Sequence, residues 1–234
     1  MPSVIRICWF LRLPVLALMV LAVTPFAAQG GCSDRPGPGV DWTKCQKMRL
    51  VLRGEDLSGG RLERTNLSSS DLMEANLAGA NLAESDLERT RLQEADLQGA
   101  NLTKVQAGRA NFKEANLAGA NLTKAELPRA NLTGANLARA DLSKTELGRA
   151  VLSKADLTGA SLRFANIARA DLTEANLEGV DFTGSYTYLT RVEGADLSQT
   201  LGLNQNQLDI SCGDAETKLP AGLERPAEWP CSGE

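Results

Sequence analysis

The chain has 234 residues, with 25 Lys+Arg against 29 Asp+Glu, a formal charge of −4, 43% hydrophobic residues, 4% aromatics and no histidine. That apolar fraction supports a core and excludes wholesale disorder. The absence of His excludes Ser-His-Asp and Cys-His catalysis, His-ligated zinc and His-based pH switching, and mild acidity without a polybasic tail argues against a nucleic-acid partner.

Residues 1–31 read as a signal peptide. Arg6 and Arg12 lead into an apolar stretch from Leu13 to Val23, and Ala27-Ala28-Gln29-Gly30 forms a small-residue exit. An uncleaved membrane anchor is one alternative, but Arg12 interrupts the run and Pro14 and Pro25 bracket it, which leaves a short span for a bilayer. Lipidation at Cys32 is another. Against it, Gln29 stands where a lipobox resembling the bacterial lipoprotein kind wants an aliphatic residue. The expected location is periplasmic or secreted, with no stable membrane span after processing. Residues 32–49 read as a linker and N-terminal cap: Ser33 to Gly39 carries Pro36 and Pro38, and Trp42 and Met48 supply apolar cover for the first coil of the repeat region.

From Leu52 to Leu197 every fifth residue is apolar or nearly so, and 24 of these 30 positions are Leu. The others are Ala107, Phe112, Ile167, Phe182, Thr187 and Val192. Two residues earlier stands a small residue, usually Ala, with Asp or Asn commonly between, as in Ala115-Asn116-Leu117. A five-residue period cannot make an amphipathic helix, because five steps of about 100° carry each Leu to a new face. A straight strand fails as well, since the next Ala, three residues on, flips to the other face. The chain therefore turns a corner in every repeat and coils.

The outward positions give the number of repeats per coil. Arg89, Arg109, Arg129, Arg149 and Arg169 recur at intervals of twenty, as do Lys104, Lys124 and Lys144. Gly59, Gly79, Gly99, Gly119, Gly159 and Gly179 form a third column, interrupted by Arg139. Twenty residues per coil means four repeats and a square cross-section. Gly at the second residue after Leu suits a turn with positive φ there.

The pattern Ala-Asn/Asp-Leu-x-x, as in Ala75-Asn76-Leu77 and Ala155-Asp156-Leu157, resembles the pentapeptide-repeat family over about residues 50–200. The resemblance implies an all-β fold, a right-handed quadrilateral β-helix. At strand spacing of ~4.8 Å, its seven to eight coils make a rod roughly 35 Å long. Residues 201–234 read as a C-terminal cap, helical around Asn204 to Ile210, with Leu203, Leu208, Ile210 and Trp229 closing the last coil.

Cys8 leaves with the signal, and Cys32, Cys45, Cys212 and Cys231 remain, an even number that suggests disulfides with three connectivities. A rod between the pairs forbids bridges across it, because bonded Cα atoms lie within about 7 Å. That leaves Cys32–Cys45 and Cys212–Cys231. Free thiols in a cytosolic chain are the alternative.

Two surface features stand out. The Arg and Lys columns edge one face, with Asp86, Glu126 and Glu146 between them. The bland reading is a salt-bridge ladder; the functional one is a basic edge for an envelope polyanion or acidic protein. Phe164, Tyr186 and Tyr188 are outward aromatics near the last coils, readable as a protein contact or homodimer interface, or as packing for the tail. Asn-x-Ser/Thr sequons such as Asn101-Leu102-Thr103 arise automatically from the repeat. No phosphate loop or dinucleotide fingerprint is present, stacked Leu leaves no interior pocket, and no metal or cofactor is expected. The expected role is an exported, non-enzymatic structural or protein-interaction scaffold in the cell envelope. The alternative, implied by the resemblance, is a DNA mimic that binds a nucleic-acid enzyme such as DNA gyrase. Residues 50–200 hold 21 acids and 17 bases of interspersed sign, where a mimic wants a continuous negative face.

Overall fold

The computed structural model describes residues 31–231. The signal peptide assigned to residues 1–31 lies outside that range apart from Gly31.

Each repeat contributes one bridging residue, one inward core residue, two turn residues and one small inward residue. The bridging residue pairs in parallel with the residue twenty positions later, unbroken from Asp41↔Arg61 to Asp171↔Arg191. A repeat of five in a register of twenty places four repeats in each coil, as the surface columns require. The backbone is satisfied repeat by repeat. In one unit Leu57 N–H donates to Asn76 C=O at 2.7 Å, Gly59 N–H to Ala78 C=O at 2.9 Å, and Gly60 N–H closes the turn on Leu57 C=O at 3.0 Å. Asn76 N–H bonds back to Glu55 C=O at 3.0 Å. With single-residue bridges between corners, this is a stack of very short parallel rungs.

Where an Asx residue precedes the core residue, it prepares the corner. Asn131 Oδ1 accepts from Thr133 N–H at 3.0 Å, and Asp56 Oδ1 accepts from Ser58 N–H at 3.0 Å. Bonds donated by Ser58 hold the Asp56 carboxyl below its ordinary value. The positive φ expected of glycine occurs at the second residue after the core position in repeat after repeat, whatever the side chain. Within one coil φ is 56° at Lys104, 58° at Arg109, 60° at Glu114 and 65° at Gly119. For a non-glycine residue this conformation costs about 1–2 kcal/mol, and the hydrogen bonds above and below over-determine it.

The core is Leu stacked on Leu. Leu57 through Leu102 at the fifth positions are fully buried, as are Ala107, Val105 and Phe112. Ala107 and Phe112 are consecutive core positions of one coil, so a large ring adjoins the smallest core side chain. Where Thr replaces the inward Ala, a core carbonyl satisfies its hydroxyl: Thr90 Oγ1 donates to Leu67 C=O of the coil before at 3.0 Å and Thr190 Oγ1 to Ile167 C=O at 2.7 Å, whereas Thr145 Oγ1 donates to Leu142 C=O of its own repeat at 2.7 Å.

The N-terminal end differs from its linker-and-cap reading. The ladder starts at Asp41, and Gly39 N–H already bonds Ser58 C=O. Residues 32–38 fold against this first coil instead of linking to it: Trp42 Nε1 donates to Asp34 C=O at 3.1 Å, and Cys32 bridges Cys45 across 5.4 Å between Cα atoms. Trp42 is fully buried with Lys47 Nζ 4.1 Å from its ring centroid, whereas Met48, expected to help close the coil, is exposed. Met48 occupies an outward turn position, and Lys47 takes the core position.

The C-terminal tail also continues the ladder rather than merely covering it. Leu201 pairs with Asp181, and after a five-residue helix α1, Gln205–Asp209, Cys212 pairs with Arg191 and Lys218 with Asp196. Asn204 caps α1 in a reciprocal capping box with Gln207. Leu208 is buried, and Leu203 and Trp229 pack against the core. Ile210, assigned to the lid from sequence, is exposed at the end of α1. The Gln207 amide donates to Phe182 C=O and Ser185 C=O, both at 2.9 Å, and Thr187 Oγ1 donates to Gln207 C=O at 2.6 Å. Thr187 thus carries a polar bond where the stack expects Leu, beside a cavity of ≈ 10 Å³, about the smallest that holds one water. Cys212–Cys231 closes the tail, Trp229 Nε1 donates to Ser211 C=O at 2.8 Å, and a Cβ at Gly213 would enter the Trp229 ring.

Candidate interaction face

Four positive-φ corners recur in each coil, and in the coil holding residues 104–119 they are Lys104, Arg109, Glu114 and Gly119. Stacking at twenty residues turns each into an edge of the rod. One edge carries Lys44, Arg64, Lys104, Lys124 and Lys144, and the next carries Arg49, Arg89, Arg109, Arg129, Arg149 and Arg169. The third carries Glu74, Glu94, Glu114 and Glu174, and the fourth is mostly glycine. The net charge of −4 therefore conceals a polarised cross-section. The Lys–Arg face lies opposite the face bounded by the Glu and Gly edges, which also holds the Asx column of Asp56, Asp96, Asp156 and Asp196. Sequence reading missed the Glu edge and Arg49, although the same spacing of twenty carries both.

The two basic edges behave differently. On the first, Glu84 bridges Arg64 at 2.8 Å and Lys104 at 3.3 Å. Bonds from Arg64 and then Lys104 hold its carboxyl below the ordinary value. That stretch is the salt-bridge ladder of the bland reading. On the second, the exposed Arg89, Arg109, Arg129 and Arg149 make no ion pair with any described residue, and neither do Lys124 and Lys144. Like charges stacked about 5 Å apart repel by about 1 kcal/mol even in water, so this edge carries uncompensated positive potential. Between the edges run Gln106, Glu126 and Glu146, with the low-relief residues Gly108, Pro128 and Gly148 beside the arginines. Asn166 Nδ2 donates to Glu146 Oε2 at 2.7 Å.

The aromatic residues stand at the C-terminal end of the same face. Tyr186 continues the column of Glu126 and Glu146, and Tyr188 that of Gly148 and Ala168. Their rings lie 6.3 Å apart at an interplanar angle of 11°, and the Arg169 guanidinium is 5.9 Å from the Tyr188 ring centroid. Phe164 lies on Gly184 of the next coil, where a Cβ would come within 2.6 Å of the Phe164 ring. Phe164 is 55% exposed, Tyr186 52% and Tyr188 42%. The tail does not cover them, contrary to the packing reading.

The remaining sequence-derived sites are assigned to structure. The four described cysteines are disulfide-bonded, so the Cys32 sulfur is not the free thiol that lipidation needs. The amide of Asn101 is bonded to Asn81 and its oxygen to Thr103, which ties that sequon into the Asx ladder. Among the described residues no group of His, Cys, Asp and Glu is placed to hold a metal, and no helix is long and apolar enough to cross a membrane.

A family model for pentapeptide repeats matches residues 70–105, 110–149 and 145–184 in eight copies. The crystal structure of HetL, a pentapeptide repeat protein involved in heterocyst differentiation regulation from the cyanobacterium Nostoc sp. strain PCC 7120, is 31% identical with a TM-score of 0.54. That alignment covers 86% of this chain and 91% of HetL. The chain belongs to the pentapeptide-repeat family. QnrB1, a plasmid-mediated fluoroquinolone resistance protein, aligns over 77% of this chain and 89% of its own at 17% identity and a TM-score of 0.46. A pentapeptide repeat protein from the Arabidopsis thaliana thylakoid lumen is 32% identical over 50% of this chain and 71% of its own, with a TM-score of 0.18. No curated protein matches the chain. Family members are generally non-enzymatic.

Proposed function

We propose that this pentapeptide-repeat protein is an exported, non-enzymatic scaffold of the cell envelope, a right-handed quadrilateral β-helix whose Lys–Arg face engages an anionic partner. The observation that carries the reading is the Arg column from Arg89 to Arg149, exposed and without an ion pair to any described residue, on a rigid stack that fixes its spacing. Export is supported by the charged-then-apolar leader and by two disulfides, which persist in oxidising compartments. Fractionation of a tagged full-length protein tests it. Recovery outside the cytoplasm, with the mature chain starting near Gly31 or Cys32, is the expected result. Cytosolic recovery at intact N-terminal mass with free thiols would overturn it.

The second reading, a DNA mimic, draws on the Glu74–Glu94–Glu114 edge. That edge stops at Gly134 and reverses at Lys154, and the adjacent Asx column is half neutral Asn. The same fractionation separates the two readings, since a binder of a nucleic-acid enzyme must remain in the cytosol.

A further inference from the structure

We infer that the basic face is a track for an acidic polysaccharide, a linear polymer of uronic-acid type lying along the solenoid axis, with a sugar ring seated at Tyr186 and Tyr188. The inference rests on the proposed anionic partner and names its chemistry.

Four features select this ligand. First, the arginines rise one per coil, about 4.8 Å apart. An extended 1,4-linked uronate chain advances about one ring per coil and turns alternate carboxylates to opposite sides, so every second guanidinium fork can take a carboxylate in constant register. An acidic peptide strand repeats its same-side residues every two positions, about 6.6 Å, and falls out of step within a few coils. Second, the middle column presents Glu126 and Glu146 as acceptors beside the arginines. A polyphosphate would be repelled by them and has no hydroxyl donors to offset that repulsion. Sugar hydroxyls donate to such carboxylates while the ring carboxylates pair with the arginines. Third, Gly108, Pro128 and Gly148 keep the strip next to the arginines low, so a chain can lie along it without displacing side chains. Fourth, the strip ends on two exposed, nearly parallel tyrosine rings, 11° apart in plane, flanked by Arg169. An aromatic face packs against the C–H face of a pyranose, and the phenol oxygen at its rim bonds hydroxyls. A lipid surface would not require the arginines at a fixed axial spacing.

Affinity electrophoresis and calorimetry on the signal-free chain test this with four probes: polygalacturonate, neutral dextran, polyphosphate, and vesicles of phosphatidylglycerol. Wild type is expected to bind polygalacturonate at least tenfold more tightly than polyphosphate or vesicles, and to ignore dextran. Reversing Arg109, Arg129 and Arg149 to Glu is expected to abolish binding. Changing Tyr186 and Tyr188 to Ala is expected to weaken it about tenfold, with the melting curve unchanged because both rings are surface-exposed. Equal binding of all polyanions, insensitive to the tyrosines, would overturn the polysaccharide assignment and leave the anionic-partner reading standing. Binding to every polyanion that survives the triple reversal would remove both.

Discussion

The middle coils and the C-terminal tail extend the same ladder by different means. Around Leu137 the rungs repeat regularly: a buried Leu, a small inward residue, a positive-φ corner and, at Asn131, Asn136 and Asp141, an Asx turn. After Leu201 the repeat fails, and the chain reaches its next rungs at Cys212 and Lys218 in a slipped register. The insertion of α1 is compensated by specific groups: the Gln207 amide, the Cys212–Cys231 bridge and the Lys218–Asp196 pair at 2.8 Å. Periodic structure distributes its stability over equivalent positions, whereas the tail concentrates it in a few irreplaceable ones.

The sharpest test of this contrast is Leu137→Asp, which places an unpaired charge inside the stack. It is expected to abolish cooperative melting followed by circular dichroism, and Leu137→Ala to cost about 2–5 kcal/mol. A melting curve unchanged by the Asp variant would overturn the buried assignment. Gln207→Ala comes next. It leaves the carbonyls of Phe182 and Ser185 without their amide donor, worth about 1–3 kcal/mol when such groups stay buried. Faster hydrogen exchange should then appear after residue 180, with the coil around Leu137 still protected. If both regions exchange alike, the tail is not a separate stability unit.

The smallest effect belongs to Asp196. Bonds from Lys218 and Ser198 lower its pKa to about 2. A depressed carboxylate pKa means that its contribution is complete above the ordinary value of 3.8 and is lost as pH falls from there through about 2. Asp214, which accepts from Gly194 N–H and is likewise lowered, acts in the same direction. Coil carboxylates such as Asp56 and Glu84 are lowered as well, but there the loss is spread over a repeating ladder, so acid should loosen the tail before the coils. Trp229 fluorescence is expected to change in that window while Trp42, buried at the other end, does not respond. Asp196→Asn should move the Trp229 transition with little effect on global melting, because both partners of the pair are largely exposed. Simultaneous transitions of the two tryptophans would refute the two-region picture.

Legibility followed periodicity. Where residues recur at five and twenty, sequence alone located the core, the corners and all the charged columns but the Glu edge, down to Phe164 beneath Gly184. It failed where the repeat is degenerate. The first coil was hidden because Lys47 occupies a core position and Val40 and Cys45 stand where Ala is usual. The rungs at Cys212 and Lys218 were hidden because α1 shifts the register. The expectation that glycine marks the positive-φ corner held for one edge only, since stacked hydrogen bonds impose the same backbone on Lys, Arg and Glu.

The sequence by itself determined that the chain coils and that four repeats make a coil, because a strict period leaves a chain few geometries, and it left one disulfide pairing compatible with a rod beside the alternative of free thiols. Which charges are neutralised was decided by tertiary structure. Arg64 and Arg109 sit at equivalent corners of the repeat, yet only Arg64 meets a carboxylate one coil away. Pairing depends on what stands twenty residues along on the same edge and on how far a side chain reaches, and only the stacked coils bring those residues together.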